Sequence, residues 1–269
     1  MISAVRTHDS RHRLGNDVAV DESVRFAGRS DIGRLRSTNQ DRWGADADQN
    51  LFMVADGVAC STDGALAAAL VIELLPTYVA RHLKSAEDDP DAAEMLGRAV
   101  AEFSDDFRAY ATTDPRASGA SSTVVAVVIT GARALIAHLG DSRVYLYREH
   151  QLQRLTRDHT VLQDLIDAGQ VDIKDADGHP ARNTLSRHLA MYPHALADSA
   201  TVDLHAGDRI LLCSDGLSGV VDEAGLVRIL DEQRDPDDTC AAFIDAANNA
   251  GGPDNITAVV IDIADTVTE

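Results

Sequence analysis

The hydrophobic pattern changes period several times along the 269-residue chain. Leu51-Phe-Met-Val-Ala55 is a continuous apolar run of strand length that stops at Asp56-Gly57, and Arg209-Ile-Leu-Leu-Cys-Ser214 stops in the same way at Asp215-Gly216. Between these runs, Ala67, Leu70, Val71, Leu74, Leu75 and Tyr78 recur at helical spacing and predict a helix over 64–83 with Asp63 as its N-cap. Met95, Ala99, Phe103 and Phe107 predict a second helix over 91–110, beyond an acidic loop at 85–90. Three β-branched or apolar runs follow at 122–130, 133–139 and 143–147, joined by Gly131-Ala132 and Gly140-Asp141-Ser142. Connections that short predict an antiparallel meander.

Val161, Leu162 and Leu165 predict a helix over 158–168, and residues 169–197 are polar, irregular and long for a connection in a compact domain. Strand patterns at 200–204 and 209–214 flank a turn at Gly207-Asp208. Helical patterns at 223–231 and 237–249 and a last strand at 255–262 complete the series, which a strand at 23–27 begins. The order is not the regular alternation of a parallel sheet. It predicts an α+β fold in which antiparallel sheets pack together with helices outside. With no solenoid repeat and no low-complexity linker, residues 22–265 read as one domain, preceded by a polar, aperiodic and mobile leader over 1–21.

Composition narrows the partners. Hydrophobic residues make up 45% of the chain and aromatics only 4%, so the core is built mainly from Val, Leu, Ile and Ala. A formal net charge of −20 repels nucleic-acid phosphates and argues against a DNA or RNA partner. Three widely spaced cysteines, Cys60, Cys213 and Cys240, with no Cys-x-x-Cys, argue against a disulfide framework or zinc ribbon and for a reducing, cytoplasmic setting. The apolar stretch 65–75 is too short to span a bilayer and contains Glu73, so no membrane is expected.

The acids sit where apolar elements meet loops: Asp41, Asp56, Asp141, Asp215 and Asp254. One Asp-Gly corner is ordinarily just a turn. Five such junctions are another matter, because packed strands could bring their ends together. Converging carboxylates repel each other unless a cation lies between them. Carboxylate, carbonyl and water oxygens suit Mg²⁺ or Mn²⁺, and a glycine after the acid lets the backbone approach closely.

The ordered set Arg36-Ser-Thr-Asn-Gln-Asp41, Val54-Ala-Asp-Gly57, Ser118-Gly-Ala-Ser-Ser-Thr123, Leu139-Gly-Asp-Ser-Arg143, Leu155-Thr-Arg-Asp-His159, Leu212-Cys-Ser-Asp-Gly-Leu217 and Gly252-Pro-Asp-Asn-Ile-Thr257 resembles the metal-dependent protein serine/threonine phosphatases of the 2C type, the PPM family, in a bacterial form. The likeness covers about residues 24–262. It implies a four-layer α-β-β-α sandwich with two Mn²⁺ or Mg²⁺ ions at one edge and a place for a third. Asp56 would bridge the two ions, with the Gly57 carbonyl on one of them and Asp215 and Asp254 on the other. Asp41 would hold metal-bound water, Asp141 with Asp215 would take the third ion, and Arg36 would grip the substrate phosphate. The stretch 169–197 would be a flap beside the site.

The reaction implied is hydrolysis of phosphoserine or phosphothreonine in proteins by direct attack of a metal-bridging hydroxide. The partners implied are a phosphoprotein and a cognate Ser/Thr kinase. Departures from the family pattern are Gln40 in place of Glu, Val58-Ala59-Cys60 in place of Met-Gly-Gly, and Leu189-Ala190-Met191 after Arg187. Valine at 58 cannot protonate a leaving group. These departures motivate a second reading, a catalytically weak or inactive module that binds a phosphoprotein or kinase. His159 is read as a helix-start residue, Arg143 as an ion-pair partner, and Asn255 as the residue that holds the loop aiming Asp254.

Overall fold

In the computed structural model, residues 24–59, 64–84, 89–176, 178–191 and 196–264 are described. The leader at 1–21, the predicted cap Asp63 and Cys60 lie outside them. Twelve strands and six helices are present among the described residues. β1 (Val24–Asp31), β12 (Ile256–Ile263), β11 (Arg209–Cys213), β8 (Arg143–Arg148) and β9 (Gln151–Arg154) form the first sheet, in that order. β10 (Asp198–Asp203), β7 (Arg133–Leu139), β6 (Val124–Thr130), β3 (Leu51–Ala55) and β2 (Arg42–Asp46) form the second. Every neighbouring pair is antiparallel. A short ladder pairs β4 (Gly57–Ala59) with β5 (Ala120–Ser122) beyond the end of β3.

The unbroken apolar runs have a simple cause: both faces of the central strands are buried, and side chains alternate between them. In β3, Leu51 and Met53 face α1 (Gly64–His82) and α2 (Ala92–Thr113), while Phe52 and Val54 point between the sheets. There they meet Val125, Val127, Ile136, Leu146, Leu212 and Ile261. The outer face of the first sheet buries Tyr145, Leu211 and Val260 against α5 (Glu223–Glu232) and α6 (Pro236–Asn249). Three apolar layers between four layers of structure give the expected α-β-β-α sandwich. By length and composition α1 is the one described helix that could cross a bilayer, but its Val71 and Leu75 are fully buried in the core beside the second sheet.

The meander expected over 122–147 is corrected. β6 and β7 do form a hairpin, but β8 pairs with β11 and β9 in the other sheet. The turn Gly140–Ser142 therefore carries the chain between sheets and does not close a meander. Likewise β10 and β11 lie in different sheets, so the Gly207-Asp208 turn joins layers. Short loops with glycine specify a reversal of direction; they do not specify which partner the next strand finds. On α2 the buried face carries Leu96, Val100, Phe103 and Phe107, and Met95 is only half-buried. The helix predicted over 158–168 is shorter: α3 (Val161–Asp167) starts after Thr160, whose side chain accepts the Gln163 N–H. Asp158 ion-pairs with Arg143 and Arg154 instead.

Arg209 ties the first sheet to its helices. Its Nε donates to Asp262 at 2.7 Å, and its other nitrogens donate to the Leu230 and Gln233 carbonyls and to Thr239. Burial pushes the Asp262 carboxyl up despite this partner. Arg209→Ala strands a part-buried carboxylate and is expected to cost about 3–5 kcal/mol in urea unfolding. The paired change Arg209→Met with Asp262→Leu is expected to cost less.

Candidate metal centre

Each predicted acid reaches the site from a different junction. Asp56 follows β3, and its backbone is fixed by Thr123: the Asp56 N–H donates to Thr123 Oγ1 at 3.1 Å, and the Asp56 carbonyl accepts the Thr123 N–H at 2.8 Å. Asp141 lies in the turn that crosses between sheets. Asp215 is the first residue of a one-turn helix, α4 (Asp215–Ser218), directly after β11. Asp254 precedes β12, and Asp41 precedes β2. The two sheets thus send their strand ends to one edge.

The acids lie within electrostatic reach of one another. Desolvation, then the charges of Asp41, Asp215, Asp141 and Asp254, hold the Asp56 carboxyl well above its ordinary range. Burial, with Asp215 and Asp158 nearby, pushes Asp141 up to about 8. Asp41 is pushed up to about 6 by burial, against the pull of hydrogen bonds from Ser214 and Thr257. Asp215 is raised by burial and by Asp254, while a side-chain hydrogen bond with Asp56 acts the other way. Carboxyl groups raised by burial and by one another's charge mark a place where a cation would relieve repulsion. Two carboxylate oxygens there, Asp41 Oδ1 and Asp215 Oδ1, are buried and accept no hydrogen bond from the described residues. Hard, anionic, unclaimed oxygens of this kind fit Mg²⁺ or Mn²⁺.

The glycines are needed for clearance. A Cβ on Gly57 would overlap the Gly64 carbonyl oxygen, and one on Gly216 would overlap that of Asn255. The backbone behind each acid is therefore in direct contact with another segment.

Arg36 is half-exposed, and its guanidinium donates to Asp254 Oδ2 at 2.6 Å. A cleft of about 310 Å³ opens here, lined by Arg36, Asp141, Asp215 and Asp254 together with Arg182 and Asn183 from the irregular stretch. Asp41 and Asp56 are not among its lining residues. Asn255 does hold the neighbouring loop. Its Nδ2 donates to the Ile32 and Thr38 carbonyls, its Oδ1 accepts the Gln40 N–H, and its own N–H donates to Asp254 Oδ1. Arg143 makes the expected ion pair, with two bonds to Asp158 at 2.7 and 3.0 Å.

His159 differs from its expected role. It is buried, stacked on His138 at 4.5 Å between ring centroids, and accepts the Gly140 N–H on Nδ1. Nε2 then carries the proton and donates to Asp198, which also takes Arg187. His138, His159 and Asp198 offer atoms within 4.8 Å of one another. A cation on His159 Nε2 would have to displace that proton beside the Arg187 charge, so this cluster is a hydrogen-bonded strut behind the Asp141 turn. Sequence reasoning also missed the hydroxyls of Thr123, Ser214 and Thr257. All three stand inside the motifs that flagged the acids, but a hydroxyl in an apolar run gives no signal of what it will touch.

The model of the family described as protein phosphatase 2C matches residues 28–242. The chain is 35% identical over 243 residues to the serine/threonine protein phosphatase PstP of Mycobacterium tuberculosis, covering 90% of this chain and 45% of PstP. It therefore spans less than half the length of that relative. It is 32% identical to the serine/threonine phosphatase stp of Listeria monocytogenes, covering 87% of this chain and 94% of stp. A solved structure of the catalytic domain of PstP in complex with two manganese ions superposes with a TM-score of 0.76 at 33% identity, covering 90% of this chain and 99% of that one.

Burial, with His138 and Arg187 close by, pushes His159 down to about 4 from an ordinary value of 6.5, against the pull of Asp198. A base lowered on folding stays neutral in the native state while the unfolded chain takes up a proton. The stability it contributes is present at neutral pH and is lost as pH falls from 6.5 towards 4. Wild type and His159→Asn, compared by urea unfolding, are expected to converge over that window by about 3 kcal/mol.

Proposed function

The chain belongs to the protein phosphatase 2C family, and on that premise we propose that it hydrolyses phosphoserine and phosphothreonine in proteins with Mn²⁺ or Mg²⁺ at the acid cluster. The observation that carries this reading is the meeting of five carboxylates, two of which, Asp41 and Asp215, keep a buried oxygen with no partner among the described residues. Asp56, the Gly57 carbonyl, Asp215 and Asp254 would hold two ions, Asp41 would hold their water, and Asp141 with Asp215 would hold a third. Bound divalent ions supply a water of lowered pKa as nucleophile and positive charge for the phosphoryl oxygens.

The chain's own residues supply the rest. Arg36 stands half-exposed at the cleft, and a guanidinium presents paired donors that match a phosphoryl group. Its bond to Asp254 aligns that carboxylate before substrate arrives. The Asn255 bonds fix the Asp254 loop against the loops that carry Arg36 and Gln40. No side-chain acid for the leaving group is evident among the described residues near Asp56. Val58 has no proton to give, and His159 is committed to Gly140 and Asp198. Proton delivery from solvent through the open cleft fits this arrangement. Residues 182–183 at the cleft support a flap over 169–197, and the domain is taken as 22–265. The three widely spaced cysteines support a cytoplasmic site of action, and the likeness to bacterial serine/threonine phosphatases supports a cognate Ser/Thr kinase as partner.

Purified protein is expected to hydrolyse p-nitrophenyl phosphate and a phosphothreonine peptide with Mn²⁺, and to stop on addition of EDTA. Asp215→Asn is expected to lower kcat by about a hundredfold or more. Equal and negligible turnover by wild type and Asp215→Asn across metals, with tight phosphopeptide binding, would instead establish the binding-module reading.

A further inference from the structure

The Asp41 carboxylate is held from one side only. Ser214 Oγ donates to Oδ2 at 2.7 Å, and Thr257 Oγ1 donates to the same oxygen at 2.8 Å. An ionised carboxylate only accepts, so both hydroxyl protons are committed to it. Ser214 Oγ meanwhile accepts the Thr257 N–H at 3.0 Å. Thr257 Oγ1 lies 2.8 Å from Ser30 Oγ, and since its own proton is spent, Ser30 must be the donor. Asn39 Nδ2 completes the line by donating to Ser30 Oγ at 2.9 Å.

The bonds therefore run in one direction, from Asn39 through Ser30 and Thr257 to Asp41, with Ser214 as a second arm. Each bond polarises the next, which strengthens a buried chain of this kind. Ser214 and Thr257 are fully buried, and Asp41 is 1% exposed. Oδ2 thus takes both hydroxyl donors, while Oδ1 is buried and unclaimed among the described residues. An acid that only needed satisfying would spread its donors over both oxygens.

The two hydroxyls also come from telling places. Ser214 immediately precedes Asp215, and Thr257 follows Asp254 by three residues. A single oxygen of Asp41 thereby ties together the backbones that carry two other acids.

We infer that Ser214 and Thr257 are positioning residues of the metal centre, which lock Asp41 so that Oδ1 alone serves the ions and which set the spacing of Asp41, Asp215 and Asp254. This rests on the phosphatase reading above. Removing either hydroxyl frees the carboxylate to rotate and loosens the register of the three acids.

The test is Mn²⁺ affinity by titration calorimetry, with the electron paramagnetic resonance spectrum of bound Mn²⁺, on Thr257→Val, Thr257→Ser and Ser214→Ala. Melting of the metal-free proteins checks the fold. Thr257→Val and Ser214→Ala are expected to bind Mn²⁺ about 10- to 100-fold more weakly with an altered spectrum, and Thr257→Ser to stay within about twofold of wild type. Wild-type affinity in folded Thr257→Val, or equal weakening by Ser and Val, overturns the inference and leaves the phosphatase reading intact. If Thr257→Val does not fold, Ser214→Ala decides on the same criterion. Failure of wild type itself to bind Mn²⁺ overturns both.

Discussion

Five acids gathered at one edge, from buried Asp41 and Asp141 to partly exposed Asp254, are the constraint that organises this protein. Carboxylates in a low-dielectric environment repel strongly, and each gains if the strands that carry them move apart. The fold prevents this by making every support rigid. Asp56 is fixed through its backbone by Thr123, Asp41 through Oδ2 by Ser214 and Thr257, and Asp254 by Asn255 and Arg36. The glycines at 57 and 216 let neighbouring backbones close to contact, so those supports have no slack. A protein that only needed to be stable would have no use for such a cluster. A site that collects divalent cations depends on it.

The paired sheets answer the same constraint at larger scale. A single sheet presents its strand ends along a line, whereas two packed sheets present two lines at one edge. Asp56 arrives from the second sheet, Asp215 and Asp254 from the first, and Asp141 from the turn that crosses between them. The apolar layer of Phe52, Val54, Leu212 and Ile261 between the sheets supplies the stability that the acids oppose. Behind Asp141, the amide of Gly140 is held by the ring of His159, and the same segment pairs with the irregular stretch through Thr160 and Leu185. The crossing turn is thus braced against the segment that lines the cleft with Arg182 and Asn183.

Much of this was legible in the chain. Strand and helix positions follow from apolar period, and the acids stand out because each sits where an apolar element meets a loop. The ordered motifs then point to the family. The sheet to which each strand belongs was not legible at β8 and β10. A turn such as Gly140–Ser142 has the same local chemistry whether the next strand returns alongside or crosses to the opposite layer. His159 likewise looked like a helix start because its neighbours in sequence are helical, while its partners, His138 and Asp198, are distant.

The sequence by itself determined the element pattern, the aliphatic core, the family likeness and the identity of the acids, because these depend on local composition and period. Only the tertiary structure decided that the five acids share one field, that Arg36 pairs with Asp254, and that Asp41 keeps one oxygen tied and one free of partners among the described residues. Those outcomes depend on contacts between residues distant in sequence, such as Arg36 with Asp254 and Asp41 with Ser214. Long-range packing of two sheets creates them, and no local pattern encodes them.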